Sequence, residues 1–253
     1  MVLKELILSK VKQRLLMGHL GLGDHLICNA LVRYLAESAP IVVLAKRHNV
    51  SSCTFMWRDK VAISVFPVSH DEDALAAVEV AERSGFEIIR LGGYRDSEYD
   101  RSAWDKEFYR HAGLAFERRW SGFKVDRRIS SELMVVDAPG GAVDLVPFDP
   151  NRRWTTRPYV FVHDDSSRGF NIDPQRLPHK LPVVRPRPLH GLQSNIFDWL
   201  GVLMNAEEIH CINSSFAILA DHAPSLAASR RVMHAYAREG VLPASRMEWE
   251  VLK

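Results

Sequence analysis

The sequence predicts an α/β fold made of two domains, each with a parallel sheet flanked by helices. Apolar runs of strand length alternate with amphipathic helical stretches along the chain, which is the pattern of parallel α/β architecture. A length of 253 residues exceeds one typical domain and suits two domains of modest size. A stretch rich in Pro and Gly at residues 138–158 separates two such blocks and predicts an inter-domain hinge. We therefore expect domains at residues 1–150 and 151–253.

The first block opens with an apolar strand, RLLMG at residues 14–18, which precedes the glycine-rich turn HLGLGDH. A helix follows from about Asp24 to Glu37, because its apolar residues recur at the i, i+4 spacing of one helix face. The run IVVLA at residues 41–45 contains no polar residue, which is typical of a parallel strand buried on both faces. The other predicted elements are strands at residues 61–66 and 86–91 and helices at 69–85, 103–113 and 127–136.

The second block begins with the strand YVFVH at residues 159–163. The turn INSS at residues 212–215 then opens a helix with the sequence FAILADHA. The block is short, near the lower end of the usual range of domain sizes. Its other predicted elements are strands at residues 181–185, 207–211 and 231–237 and an amphipathic helix at 195–206.

Composition and charge exclude several classes of protein. A formal net charge of +2 is too small to imply a nucleic-acid partner. No run of 18 apolar residues occurs, so we expect no transmembrane helix. The N-terminal sequence lacks the long uncharged core of a signal peptide, and the three cysteines form no C-x-x-C pair. We therefore expect a cytoplasmic protein without a disulfide framework.

We expect no metal site. Residues 71–73 (DED) resemble a metal-binding D-x-D motif, but they stand at a predicted helix start, where acidic residues complement the helix dipole. His210, Cys211 and His222 do not have a recognisable zinc spacing.

The first candidate site is the turn HLGLGDH, in which Gly21 and Gly23 let the backbone approach a ligand closely. The glycine order differs from the G-x-G-x-x-G of dinucleotide binding, and the second strand ends in Lys46 and Arg47 instead of an acidic residue. These features disfavour NAD and leave only a weak case for NADP. Asp24 is either a general base or a helix N-cap. His25 is a base, a ligand contact or a packed core histidine.

The second candidate site follows the strand at residues 159–163. His163, Asp165, Ser166, Ser167 and Arg168 give this strand end an unusual density of hydrogen-bonding groups. The Arg168 side chain could pair with a diphosphate, and the two serines could donate to its oxygens. The alternative is a turn stabilised by its own Asp and Ser side chains.

The third candidate site is the turn that opens the FAILADHA helix. Asn213, Ser214 and Ser215 lie where free backbone N–H groups and the helix dipole favour an anion. Capping alone explains one serine, whereas two serines and an asparagine fit a phosphate pocket better. Asn195 begins the preceding predicted helix and could face the same crevice.

The pairing of LGLGDHLICNALVRYL with a later INSSFAILAD resembles the GT-B glycosyltransferases, especially the heptosyltransferase-like group. The resemblance covers these two short motifs and the general order of elements. It implies two Rossmann-like domains facing across a cleft, here with a reduced C-terminal domain. Gly23 and Asp24 match the motif that supplies the catalytic Asp in that group. Asn213, Ser214 and Ser215 match its diphosphate-binding turn in position and character.

The resemblance implies transfer of a sugar from a nucleotide-diphosphate sugar to a glycan or other hydroxyl acceptor, as in polysaccharide biosynthesis. We expect the reaction to be inverting and independent of metal and cofactor, with Asp24 as the base and His25 beside it. The alternatives are a sugar-nucleotide epimerase or hydrolase of the same fold and a non-catalytic nucleotide-sugar-binding protein. The residues expected to bind the donor are His163, Asp165, Ser166, Ser167, Arg168, Asn195, Asn213, Ser214, Ser215 and Phe216.

Overall fold

The computed structural model describes residues 12–136, 158–187 and 195–253, and the chain divides into two compact units, Met1–Asp126 and Arg127–Lys253. Each unit contains its own parallel sheet, which confirms the predicted α/β class. The predicted boundary at residue 150 and nearly all of the predicted hinge at 138–158 lie outside the described residues. None of the described helices is long and apolar enough to cross a membrane.

The first unit contains a four-stranded sheet in the order β3-β2-β1-β4. All of its strands are parallel, with Leu15 of β1 opposite Val42 of β2 and Ile88 of β4. Pro67 lies in the edge strand β3, where its missing N–H removes no bond between central strands. In chain order the elements are β1 (Arg14–Met17), α1 (Leu22–Ile27), α2 (Asn29–Leu35), β2 (Ile41–Lys46), α3 (Val50–Trp57), β3 (Ile63–Val68), α4 (Asp71–Arg83), β4 (Glu87–Arg90), α5 (Trp104–His111) and α6 (Arg118–Ser121).

The helix predicted from Asp24 to Glu37 is two helices, α1 and α2, which meet at Cys28. The first of them begins at Leu22, because Gly21 has the extended conformation (φ −71°, ψ 145°) of an N-cap residue. Asp24 is therefore the third residue of α1, and the interpretation of Asp24 as the N-cap is wrong.

The second unit contains a five-stranded parallel sheet in the order β6-β5-β7-β8-β9. The helix predicted at residues 195–206 opens with a 3₁₀ turn, Ile196–Trp199, before it becomes α-helical. In chain order the elements are α7 (Ile129–Val136), β5 (Val160–His163), β6 (Val183–Val184), α8 (Leu200–Asn205), β7 (Glu208–Cys211), α9 (Ser215–His222), β8 (Arg230–His234) and β9 (Glu250–Leu252).

A continuous chain of hydrogen bonds connects β7 to the residues that follow β8. His210 Nδ1 lies 2.9 Å from His234 Nε2, and His210 Nε2 lies 3.1 Å from the Glu208 carboxylate. His234 Nδ1 lies 3.1 Å from the Tyr236 hydroxyl, which accepts a hydrogen bond from the backbone N–H of Asp173 at 3.0 Å. The Tyr236 hydroxyl therefore donates its proton to His234 Nδ1. The Nε2–H of His234 is donated to His210 Nδ1, and the Nε2–H of His210 is donated to the Glu208 carboxylate. Each imidazole then carries a single proton and is neutral.

Candidate functional site

The carboxyl edge of a parallel sheet is where open α/β folds bind ligands. In the first unit this edge carries Asp24, which lies in the first turn of α1 with 21% of its side chain exposed. Its Oδ1 atom lies 3.5 Å from Nδ1 of His19. Its Oδ2 atom lies against Gly21, where an added Cβ would be only 2.4 Å away. Gly21 is thus required for space beside the carboxylate, since its φ of −71° suits any residue.

His25 lies in the core of the first unit and not at this edge. Its side chain is buried and lies edge-on to the ring of Trp57, with centroids 6.2 Å apart. Burial lowers the pKa of His25 to about 4, against the opposing effect of the Asp24 carboxylate. The structure therefore favours the interpretation of His25 as a packed core histidine over that of a base. Gly23, the other loop glycine, is the second residue of α1.

Sequence reasoning passed over His19, although it follows the first strand directly in the glycine-rich turn. Four aromatic rings surround its imidazole. Phe108 lies perpendicular to it with centroids 5.0 Å apart, and Trp104 is stacked at 6.3 Å with an interplanar angle of 23°. Tyr94 and Tyr99 present their edges at 6.1 and 6.2 Å. Of these four rings, Trp104 and Phe108 have a helical spacing in the sequence, which predicts core residues and gives no sign of a contact with His19.

Gly92 completes the surroundings of His19. It follows β4 with a φ of 58°, a conformation that glycine adopts readily. A Cβ at this position would lie 2.7 Å from Phe108 and 3.0 Å from His19 Nε2. The Nε2 edge of the imidazole therefore faces the Gly92 backbone, while the Nδ1 edge faces Asp24.

Charged and polar residues continue along the same edge. Lys46, at the end of β2, forms an ion pair with Asp71 at 3.2 Å, and Arg47 donates to the Ser69 hydroxyl at 3.0 Å. The Asp73 carboxylate accepts the backbone N–H groups ahead of α4, so the acidic cluster acts as a helix start, as predicted. Within the described ranges, no group of three or more His, Cys, Asp and Glu side chains is arranged to hold a metal ion.

The carboxyl edge of the second unit brings together His163, Ser214 and Phe216. His163 ends β5, and its Nδ1 lies 2.9 Å from the Ser214 hydroxyl. The His163 ring also lies 4.5 Å from that of Phe216. Burial lowers the pKa of His163 to about 4, so the imidazole is neutral near pH 7. Ser214 is the N-cap of α9, but its hydroxyl contacts His163 and makes no capping bond; Ser215 is the first helical residue.

The turn after β5 is held by its own side chains. The Asp165 carboxylate accepts from the Ser167 hydroxyl at 2.6 Å and from Arg168 Nε at 2.5 Å. Gly169, with a φ of 78°, closes the turn, and Ser166 is exposed at its start. The self-stabilised turn that the sequence left as the alternative is therefore present. The Arg168 side chain is still 58% exposed, which leaves it accessible to a further anionic partner.

Arg238 also lies at this edge, although it was not among the residues predicted to bind the donor. Its guanidinium donates to the backbone carbonyl of Asn213 at 2.6 Å. Its central carbon lies 5.4 Å from the centroid of Phe170, and the same carbon of Arg168 lies 5.4 Å from that centroid. Two guanidinium groups thus pack on one aromatic ring, and one of them contacts the turn that opens α9. Asn195 forms a capping box with its own 3₁₀ turn, accepting from the Phe197 N–H at 2.9 Å.

Comparison of the chain with protein-family models and with curated protein sequences gives no match. The solved structures that are similar to it include the following two. One is the glycosyl transferase family 9 protein from Veillonella parvula DSM 2008, with a TM-score of 0.56 and 10% identity over 97% of this chain and 87% of that one. The other is the ADP-heptose LPS heptosyltransferase II of E. coli, with a TM-score of 0.55 and 11% identity over 95% and 90%. The chain therefore has the GT-B fold of the heptosyltransferase-like glycosyltransferases.

Proposed function

We propose that the protein transfers a sugar from a nucleotide-diphosphate sugar to a hydroxyl acceptor, with Asp24 as the general base. The observation that carries the proposal is the position of Asp24. Its carboxylate is partly exposed at the carboxyl edge of the sheet, in the first turn after β1, and its ion-pair partner among the described residues, His19, is as far as 3.5 Å away. The fold shared with two glycosyltransferases adds support. The resemblance of the Gly23-Asp24 motif to the heptosyltransferase-like group also implies that Asp24 is the catalytic Asp.

The proposed reaction is a single displacement. Asp24 takes the proton of the acceptor hydroxyl as the hydroxyl oxygen attacks the anomeric carbon of the donor. The bond from that carbon to the diphosphate oxygen breaks, and the electron pair leaves with the nucleoside diphosphate. Attack opposite to the leaving group inverts the configuration at the anomeric carbon.

We assign contacts with the donor diphosphate to the second unit. Arg168 and Arg238 provide positive charge beside Phe170, and Ser214 lies at the N-terminus of α9, where the helix dipole favours an anion. These groups would stabilise the negative charge that grows on the diphosphate as the bond breaks. Because protein groups alone supply this charge in the proposal, turnover should persist in the presence of a chelator of divalent cations.

We also propose that the protein acts in the cytoplasm on a glycan or another hydroxyl compound. Its three cysteines, Cys28, Cys53 and Cys211, are buried free thiols, which suits a reducing compartment.

The test begins with melting temperatures measured against a panel of nucleoside diphosphates and nucleotide sugars, because a ligand of the folded state raises the melting temperature. The stabilising donor is then incubated with hydroxyl acceptors, and the products are identified. We expect a glycoside of inverted configuration, and its loss in Asp24→Asn. The exposed Glu37→Gln variant is the charge-matched control.

The same products separate the alternatives. Conversion of the donor without an acceptor would indicate an epimerase or hydrolase. Donor binding without any turnover, unchanged by Asp24→Asn, would indicate a non-catalytic nucleotide-sugar-binding protein. Either result would reject the proposed transfer.

A further inference from the structure

His19 contributes no step to the reaction proposed above, yet in the described part of the protein it is the only basic side chain within 4 Å of the Asp24 carboxylate. We propose that His19 is a positioning residue, which orients the Asp24 carboxylate by donating its Nδ1–H to Oδ1. This inference rests on the proposed function of Asp24 as a general base.

The two oxygens of the Asp24 carboxylate have different surroundings. Oδ1 lies 3.5 Å from His19 Nδ1, and Oδ2 lies in the space that Gly21 leaves by having no side chain. A hydrogen bond to Oδ1 would therefore fix the rotation of the carboxylate and leave Oδ2 as the oxygen that receives the proton. A base needs such fixed geometry, because it must lie within hydrogen-bond reach of the proton it removes.

The imidazole is well held for this role. Phe108 packs perpendicular to it and is fully buried, and the half-buried rings of Tyr94, Tyr99 and Trp104 enclose its other sides. Side chains locked by packing are what keep a reacting group in place. Rotation of the His19 ring would disturb several aromatic contacts together.

The orientation of the ring decides which nitrogen is available. Nε2 lies on the side of the Gly92 backbone, where an added Cβ would lie 3.0 Å from it. Nδ1 faces Asp24. His19 therefore acts through Asp24 and does not take the acceptor proton itself.

The distance of 3.5 Å is longer than an ordinary N–H···O hydrogen bond. Hydrogen bonds in active sites are often long without substrate and shorten in the substrate complex. A contraction of about half an ångström would bring this pair into the usual range. The hydrogen bond from His19 to Asp24 forms only when Nδ1 carries the proton. The inference therefore predicts that neutral His19 is the Nδ1–H tautomer.

The first test needs no substrate. Nitrogen and proton NMR of the His19 ring, at a pH where the imidazole is neutral, reports which nitrogen carries the proton. We expect the Nδ1–H tautomer in the unmodified protein and its loss in Asp24→Leu, which leaves no acceptor for the Nδ1–H group. The Nε2–H tautomer in both proteins would overturn the inference.

The second test uses the donor identified by thermal stabilisation. His19→Leu removes the hydrogen-bond donor at similar size, whereas His19→Asn keeps an N–H near the position of Nδ1. We expect His19→Leu to lower kcat by about 10- to 100-fold with little change in the KM for the donor, as for a misplaced catalytic group. His19→Asn should recover most of that loss. The exposed His179→Leu is the control, and melting temperatures verify that each variant is folded.

The outcomes separate this inference from the proposed function. If Asp24→Asn retains full turnover, the proposed function fails whatever His19→Leu does. If Asp24→Asn is inactive and His19→Leu matches the unmodified enzyme, only the role of His19 is overturned. If His19→Asn is as inactive as Asp24→Asn, the imidazole is itself required for chemistry, and the positioning role is again rejected.

Discussion

The carboxyl edge of each sheet carries an aspartate just after a strand, but the two aspartates differ in their hydrogen-bond partners. After β1 of the first unit, the one ion-pair partner of Asp24 among the described residues is His19, at 3.5 Å, and the His19 ring lies among aromatic rings. After β5 of the second unit, Asp165 is tightly bonded to Ser167 at 2.6 Å and to Arg168 at 2.5 Å. At the first edge, the Asp24 carboxylate can therefore accept further hydrogen bonds. At the second edge, each oxygen of the Asp165 carboxylate already accepts a short hydrogen bond.

This difference indicates a division of roles. A carboxylate oxygen that accepts no short hydrogen bond can receive a proton from a substrate. A carboxylate that is bonded to a guanidinium and a hydroxyl mainly holds those two groups in place. The same contrast applies to the histidines. His19 is partly exposed beside Asp24, while His210 and His234 are fully buried and bonded to each other.

The sharpest test of the contrast replaces each carboxylate by an amide. Asp24→Asn should reduce kcat by about 100- to 10,000-fold, because it removes the group proposed to take the proton. Asp165→Asn should change donor affinity by less than about tenfold, because it loosens Arg168 without touching the base. Steady-state kinetics with the identified donor measure both. Equal losses in the two variants would contradict the division of roles.

A smaller effect is expected when the Asp24 carboxylate is moved while its charge is kept. Gly21→Ala places a methyl group only 2.4 Å from the present position of Asp24 Oδ2, so the carboxylate must move. The backbone conformation of Gly21 suits alanine, so we expect stability to change by less than about 1 kcal/mol. Turnover should fall by about 10- to 100-fold.

The matched control for Gly21→Ala is Gly18→Ala in the preceding turn. A Cβ at Gly18 would meet its nearest neighbour, Leu91, at 3.7 Å, an ordinary contact. Kinetics and thermal melts of both variants check the prediction. Full turnover in Gly21→Ala would show that the carboxylate position does not limit the reaction.

Arg238 and Arg168 sharpen the comparison within the second unit. Arg238→Ala should weaken binding of the stabilising nucleoside diphosphate by about tenfold, because a charge-assisted contact is lost beside the α9 N-terminus. Arg168→Ala should weaken it less, since Arg168 is more exposed and already shared with Asp165. Calorimetric titration of both variants decides the order. Unchanged affinity in Arg238→Ala would remove this residue from the proposed donor site.

The smallest expected effect concerns stability and pH. Burial lowers the pKa of His234 to about 4 from 6.5, with the charges of His210, Arg176 and Arg230 acting in the same direction and Glu250 opposing. The pKa of His210 is also lowered by burial, although Glu208 opposes it. Between about pH 4 and pH 6.5 the unfolded chain therefore binds more protons than the folded chain. Stability should fall as the pH is lowered from about 6.5 to about 4.

The measurement is the free energy of unfolding of the intact protein by denaturant titration across that pH range. We expect a loss of about 1 to 3 kcal/mol, to which the buried His25 and His163 also contribute. His234→Gln, which does not titrate, should flatten the dependence, whereas the exposed His179→Gln should leave it unchanged. An equally steep dependence in His234→Gln would reject the buried pair as a cause.

Elements with strong local signals were predicted from the sequence. The strands β1, β2 and β5 each contain an unbroken apolar run of at least three residues, and α4 has acidic residues in its first turn. The helix α3 was missed, because its sequence VSSCTFMW lacks a clear polar face, with Phe55, Met56 and Trp57 all buried. The strand β9 was missed because three residues carry too little pattern.

The candidate site was predicted only in part for a related reason. The position of Asp24 after the first strand follows from the local sequence, and so does the polar turn at Ser214. The side chains that surround these two positions do not follow from the local sequence. His19 is enclosed by rings 75 or more positions along the chain, and Arg238 reaches Asn213 from 25 positions away.

The sequence by itself determined the α/β class, the central strands and the turn that carries Asp24, because hydrophobic periodicity and glycine placement act over a few residues. The tertiary structure alone decided that aromatic rings enclose His19, that His25 is buried in the core and that Arg238 contacts Asn213. Those outcomes depend on which side chains meet after the sheets assemble. Contacts between distant segments leave no local pattern in the sequence.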